Sequence, residues 1–251
     1  MRIVLIGAGR LSTQLAMALK ENGHRVSAVF SRTMSSAEQL AHRVGAIPTN
    51  RIEDLPLAAD AFIVAITDTH VESIIHQLRT GREEQLFYHT AGSVAMGHYD
   101  GVFYPLQTFS KEKKVDFSTI PVFIEFTTEK SKETITQLAQ SLSKTVLLAD
   151  SEKRKVIHLA AVFACNFANH CYAIAEKLLS TNDIPFETLH GLIGETTAKA
   201  LVMSPRLGQT GPAVRYDTNI IGRQSKMLEQ YEMFQKIYDL MSESIHQMSE
   251  Q

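Results

Sequence analysis

The stretch RIVLIGAGRLS, Arg2 to Ser12, decides how this chain reads. Ile3 to Ile6 is an uncharged apolar run of strand length. After it Leu11, Leu15, Ala18 and Leu19 recur on one face of a helix that Gly23 can close. Between them Gly7, Ala8, Gly9, Arg10, Leu11 and Ser12 spell GxGxxS. Gly7 permits a tight turn, Gly9 lets the backbone approach a pyrophosphate, and the small Ser12 lets helix and strand pack closely. The amino end of the helix then offers free amides and partial positive charge to phosphates. Strand, glycine pattern and amphipathic helix in this order predict a dinucleotide-binding unit at the start of the chain.

Working outward, apolar strand-like runs alternate with amphipathic stretches up to about Asp150: Arg25 to Phe30, a helix around Ser35 to Val44 capped by Gly45, Ala61 to Ile66, Leu86 to His89, Gly101 to Tyr104, Val122 to Phe126, a helix around Lys130 to Leu142, and Thr145 to Leu148. This grammar predicts an α/β fold, a Rossmann-type doubly wound, mainly parallel sheet over residues 1–150. Beyond Asp150 strand-like runs vanish, and helical periodicity continues through about Leu179, Phe186 to Val202 and Thr218 to Met248. Residues 151–251 therefore read as an all-helical domain for substrate binding and dimerisation. Asp150 or Ser151 can cap its first helix, and Asp217 or Thr218 its last.

The tip of the second strand selects the dinucleotide. An NAD site places a carboxylate there for the ribose hydroxyls, whereas a 2′-phosphate needs positive charge and hydroxyl donors. Here the tip reads Ser31, Arg32, Thr33, and no carboxylate follows until Glu38. The expected cofactor is NADP. Arg32 would grip the extra phosphate.

Composition excludes several other classes. With 25 Lys plus Arg against 27 Asp plus Glu and no basic stripe, the chain lacks the clustered charge that nucleic-acid binding requires. Cys165 and Cys171 stand six residues apart in one helical stretch and point to different faces, so no disulfide is expected and a reducing, cytoplasmic compartment is. No cysteine or histidine spacing supports a metal site. The opening apolar run is too short for a signal-peptide core. The long uncharged stretch His158 to Ala175 contains His158, Asn166, Asn169 and His170, which predicts a buried helix rather than a membrane span.

Several segments together resemble one group of proteins: GAGRLS, the SRT tip, Thr67-Asp68, HTAGS at His89 to Ser93, YPLQTFS at Tyr104 to Ser110, PVFIE at Pro121 to Glu125, HLAAVFACNFANH at His158 to His170 and TGPAVRYD at Thr210 to Asp217. The chain resembles, over nearly its whole length, bacterial Rossmann-like proteins labelled NADP oxidoreductases, whose helical C-terminal domain is catalogued as a domain of unknown function. More distantly it is similar to pyrroline-5-carboxylate reductase, the coenzyme F420-dependent NADP oxidoreductases and the 3-hydroxyacid dehydrogenases. The resemblance implies a reductase, and in many relatives a dimer formed through the helical part. Tyr104 stands where many members carry His, so a histidine's role does not transfer to that position. The Lys-x-x-x-Asn pair of the 3-hydroxyacid dehydrogenases is missing, so that catalytic pair does not transfer either.

Ligands of doubly wound sheets lie beyond the carboxyl ends of the strands. Thr67 and Asp68 are expected near the ribose and nicotinamide half, with Thr90, Ala91 and Gly92 forming a small turn by the ring. Asp68 is equally a candidate N-cap. On the helix from about Glu152, a wheel of roughly 100° per residue gathers Lys155, His158, Cys165, Asn166 and Asn169 on one side. His158 is the candidate acid/base, because a hydride acceptor needs a proton donor that works near neutral pH, and Asn166 is the candidate for orienting substrate. A hydrogen-bonded core histidine remains the other reading of His158. His89, Ser93, Gln107, Thr108, Glu125, Asn169 and Arg215 are candidate substrate contacts, with Arg215 as a prospective partner for Glu125.

These residues predict transfer of hydride between NADP(H) and a small carbonyl, imine or hydroxy substrate. A non-catalytic NADP(H)-binding sensor is the alternative. Met227, Tyr231, Phe234, Tyr238 and Met241 form an apolar stripe along the last predicted helix, which points to a homodimer unless the stripe packs within one subunit.

Overall fold

The computed structural model describes residues 1–250. Contacts divide the chain into two compact units, Met1–Asn166 and Phe167–Gln251.

The first unit is built on one sheet of eight strands: β1 (Arg2–Ile6), β2 (Arg25–Phe30), β3 (Ile47–Thr49), β4 (Ala61–Val64), β5 (Phe87–His89), β6 (Gly101–Pro105), β7 (Val122–Phe126) and β8 (Val146–Leu148). Their order is β3-β2-β1-β4-β5-β6-β7-β8. All neighbours are parallel except β6 and β7. The chain runs outward from β1 through β2 to β3, then returns to lay β4 on the other side of β1. The crevice where direction reverses lies beyond the carboxyl end of β1, at Gly7.

Alternation along the strands sorts the core. Ile3, Leu5 and Ile63 pack with Leu15 and Leu19 of α1 (Arg10–Glu21), Leu40 of α2 (Met34–Val44) and Ile135 and Leu138 of the Glu129–Leu142 helix. Val4, Ile6, Phe62 and Val64 pack instead with Val71, Ile75 and Leu78 of α3 (Asp68–Arg79). The sheet is thus covered on both faces, which is why its strands read as continuous apolar runs. Gly23 and Gly45 close α1 and α2 in left-handed conformations, as expected. The short β3 was not foreseen, because three residues containing Pro48 carry no strand period; it is an edge strand, where proline is tolerated.

With Glu129–Leu142 as α4, the next helix, α5 (Ser151–Ala161), starts where Asp150 Oδ1 accepts from the Lys153 amide at 2.8 Å. One buried cation then docks it. Arg154, with no exposed surface, pairs through Nη1 with Glu125 of β7 and donates through Nη2 to the Val94 carbonyl at 2.6 Å. Glu125 Oε1 also accepts from the Ser151 amide at 3.1 Å, and Ser151 Oγ accepts from the Met96 amide at 3.1 Å. Glu125 therefore has Arg154 as its partner, not Arg215. The ion pair binds β7, α5 and the loop after β5 into one body.

Val162–Phe167 winds as a π-helix before α6 (Ala168–Ser180) continues the rod. Each π turn inserts a residue, so a wheel drawn at about 100° per residue fails from Val162 onward. The polar stripe from Lys155 to Asn169 is thus not one α-helical face. The helical run Ser151–Ser180 is also long and apolar enough, by length and composition, to cross a membrane. It is not the buried helix expected: Val156, Leu159 and Phe163 are 68%, 59% and 63% exposed. The first compact unit runs to Asn166 and so takes in α5, which the Arg154–Glu125 pair anchors to the sheet.

The second unit continues with a 3-10 turn at Phe186–Leu189, α7 (His190–Val202), α8 (Thr218–Lys226) and α9 (Glu232–Ser249). Asp217 caps α8 by accepting from the Ile220 amide at 3.1 Å. The single last helix expected from Thr218 to Met248 is broken between Lys226 and Glu232. Tyr231 N donates to the Leu228 carbonyl at 2.7 Å, and Gln235 Nε2 reaches back to the Ser225 carbonyl at 3.1 Å. No glycine or proline marks this break, so local sequence did not reveal it. Of the stripe from Met227 to Met241, Met227 and Tyr231 consequently lie in the connection and Phe234, Tyr238 and Met241 on α9. Among the described residues of this unit, Ala213 and Leu228 alone are buried apolar ones.

Candidate functional site

Gly7 makes the turn between β1 and α1. Its φ is +115°, and a Cβ there would lie 2.2 Å from the Ala65 carbonyl oxygen, so only glycine fits. Gly9 differs. Nothing lies within 4 Å of a Cβ built on it, so the protein itself leaves this space open at the N-terminus of α1. That terminus has no side-chain cap and no acidic residue in its first turn, which leaves its amides and partial positive charge to a ligand. Ser12, fully buried, ties α1 to the end of β4 through a 3.2 Å hydrogen bond to the Ala65 carbonyl. At the tip of β2, Thr33 Oγ1 donates to Ser36 Oγ at 2.8 Å, and Arg32 is exposed with no hydrogen bond or ion pair among the described residues.

A second group gathers beyond β4, β5 and β6. Asp68, the first residue of α3, accepts a hydrogen bond from Ser93 Oγ. It is not the cap of its helix: Thr67 holds that position, and its own hydroxyl meets His70 Nδ1 at 2.9 Å. Thr90 and Ala91 are buried, with the Thr90 amide donating to the Val64 carbonyl at 3.1 Å. Gly92 lies against His158 and Tyr104. A Cβ at 92 would stand 2.6 Å from His158 Nδ1 and 2.8 Å from Tyr104 Cζ.

Tyr104 Oη and His158 Nδ1 are 2.9 Å apart, with the rings edge to face at 5.9 Å. Burial pushes the Tyr104 hydroxyl above the usual phenol range, and the Asp68 carboxylate adds to the shift against an opposing pull from Arg154. The phenol is protonated at neutral pH. Sequence reasoning had noted Tyr104 only as a departure from a histidine; its place at the carboxyl end of β6 was the signal that it belongs to the site. Arg154 was also missed, because a lone Arg on an amphipathic helix reads as solvated surface.

The remaining candidates scatter. His89 has no exposed surface and so offers nothing for a substrate to touch; its Nδ1 accepts from the Ala91 amide at 3.2 Å and its ring meets Tyr99 edge-on. Gln107 and Thr108 line a cavity of about 510 Å³ together with Arg10 and Lys113. Asn166 is exposed within the π segment. Asn169 and Arg215 are exposed residues of the second unit. No cluster of histidine, cysteine and carboxylate suited to a metal occurs among the described residues.

A Rossmann-like domain matches residues 1–108, and the family described as "Domain of unknown function (DUF2520)" matches residues 120–245. The crystal structure of a "putative NADP oxidoreductase" from Bacteroides fragilis is 45% identical, covers 98% of each chain and superposes with a TM-score of 0.92. The chain belongs to the DUF2520 family. An imine reductase from Myxococcus stipitatus, solved in complex with NADP+, covers 98% of this chain and 93% of its own at 13% identity and a TM-score of 0.69. A 1-pyrroline-5-carboxylate reductase from Streptococcus pyogenes covers 98% of both chains at 14% identity and a TM-score of 0.62. These two share the fold. No curated protein matches.

In this DUF2520 member His89 is a neutral acceptor beneath the site. Burial, and secondarily the Arg154 charge, lower it from 6.5 to about 3. Its unfolded form binds a proton that the folded form refuses, so stability is full above pH 6.5 and falls as the pH drops toward 3. Urea unfolding at pH 7, 6 and 5 should show the parent losing up to about 1.4 kcal/mol more per pH unit below 6.5 than His89→Gln. Parallel losses in the two proteins would rule out this role for His89.

Proposed function

We propose that this protein is an NADP-dependent oxidoreductase that exchanges hydride with a small carbonyl, imine or hydroxy substrate. The observation carrying this reading is the placement of an open, uncapped α1 terminus and of the Tyr104–His158 pair on the same carboxyl edge of one sheet. The similar Bacteroides protein is named for NADP, which supports the choice of cofactor.

Gly9 and the amides that open α1 would hold the pyrophosphate. Ser31, Arg32 and Thr33 would hold the 2′-phosphate, where an unpaired guanidinium and two hydroxyls meet the chemistry of a phosphate dianion. Thr67, Asp68 and the turn at Thr90, Ala91 and Gly92 would flank the nicotinamide half. When bound, NADPH supplies the hydride to the substrate carbon. His158 supplies the proton to the oxygen or nitrogen left electron-rich, and receives it in the reverse direction. Ser93, hydrogen-bonded to Asp68 beside this turn, is the polar group available to orient the substrate.

A homodimer formed through the helical part completes this reading. A unit with two buried apolar residues, and with Leu192, Leu201 and Val202 at least 65% exposed on α7, has little core of its own to stabilise it. The free cysteines suit a reducing, cytoplasmic setting.

Three measurements test the proposal. Arg32→Ala should weaken NADP(H) binding about tenfold or more and leave NAD(H) nearly unchanged; equal losses in a titration of both would show that Arg32 does not read the phosphate. His158→Ala should lower turnover by roughly 10² to 10⁴ with little effect on NADPH affinity. Undiminished turnover removes His158 as the acid, and no NADPH oxidation by the parent across a panel of ketones, aldehydes and imines would favour a sensor. Light scattering should give twice the chain mass, falling to once that mass in Leu159→Glu/Leu201→Glu, whereas a monomeric parent excludes the dimer.

A further inference from the structure

We propose that Tyr104 is a positioning residue that acts through His158: its hydroxyl pins Nδ1, so that Nε2 is the ring nitrogen that exchanges the reacting proton. The inference rests on the proposed role of His158 and names the group that makes it competent. An unconstrained histidine ring interconverts between two tautomers and turns freely, and a proton donor needs one nitrogen fixed toward the substrate. Here Tyr104 Oη takes Nδ1 at 2.9 Å, and the backbone at Gly92 presses on both rings closely enough that no side chain fits there. The Gly92 backbone thus packs against the ring, and Nδ1 is occupied by Tyr104.

A phenol suits this task better than a cation or a carboxylate. Tyr104 is buried at the end of a central strand and stays protonated, so it keeps one hydrogen to donate and lone pairs to accept. When His158 is an imidazolium, Nδ1–H donates to Tyr104 Oη and Nε2–H faces outward. As the substrate takes the Nε2 proton, the electron pair of that N–H bond stays on Nε2, and the neutral ring keeps Nδ1–H on Tyr104. No charge moves onto the phenol. The reverse reaction returns the proton to Nε2 with the same hydrogen bond intact.

Other charged groups around the pair are tied down. Asp68, from the start of α3, is engaged by Ser93; Arg154 is paired with Glu125 of β7; Lys155 on the same helix pairs with Glu152 at 2.8 Å; and His89 below is neutral. All of them are unchanged in Tyr104→Phe, which keeps the ring and removes only the hydroxyl.

Losing an acceptor for Nδ1–H weakens the charged ring more than the neutral one, because hydrogen bonds to ionised groups are the stronger. Donation requires the charged ring, so turnover falls as pH rises past its titration midpoint, and the fall should come earlier in the variant. In cofactor-free Tyr104→Phe, the midpoint of the His158 ring followed by NMR should move down by about half to one pH unit, and the alkaline limb of the pH–rate profile should move with it. At neutral pH kcat should fall about tenfold while KM for NADPH holds. Tyr104→His, which restores a partner for Nδ1, should recover most of the loss. In a His158→Ala background Tyr104→Phe should cost nothing further. An unmoved NMR midpoint, or losses that add in the double variant, would overturn the positioning role. Full turnover in His158→Ala alone would instead sink the proton-donor reading, leaving the NMR result to stand or fall by itself.

Discussion

A guanidinium with no exposed surface organises the site. Arg154 reaches Glu125 on β7 and the Val94 carbonyl beyond β5, and by doing so lays α5 across the carboxyl edge of the sheet. His158 lies one helical turn further along α5 and so comes to rest over Gly92 and beside Tyr104. Breaking a buried pair of this kind by deleting one partner typically costs about 3–5 kcal/mol, because the other charge stays buried and uncompensated. The pair is thus less a source of net stability than a constraint on where the helix can sit.

Two kinds of positive charge divide the work. Arg154 is neutralised and buried, and holds α5 in place. Arg32 is exposed and unpaired at the tip of β2, where a doubly wound sheet presents the adenosine ribose. Between them lies the α1 terminus, whose charge comes from backbone amides and is fixed in direction by the Gly7 turn. The candidate cofactor contacts are therefore built from local features, whereas the Tyr104–His158 contact depends on β6 and α5, which are separated by more than forty residues in sequence.

That division explains what could be read early. GxGxxS, the SRT tip, the glycine closures after α1 and α2 and the Asp150 and Asp217 caps are local, each a few residues whose backbone demands are met by their own side chains. The partner of Glu125 was open to any cation in the chain, and spacing pointed no more to Arg154 than to Arg215. Asp68 satisfied every local rule for a cap, yet its carboxylate went to Ser93 across the sheet edge. The π segment at Val162–Phe167 and the break before α9 lack the glycine or proline that announces such departures. His89, polar in sequence and adjacent to the Thr90–Gly92 turn, became a buried acceptor because β5 lies in the sheet interior.

The amino-acid sequence alone determined the fold class, the strands and helices through residue 150 other than β3, and the glycine turn into α1, since periodicity and glycine chemistry act over one or two turns of chain. Only the tertiary structure decided that Tyr104 meets His158, that Arg154 neutralises Glu125 and that the helical rod stays exposed. Those outcomes depend on which distant elements share a sheet edge, and hydrogen bonds between them leave no period in the sequence.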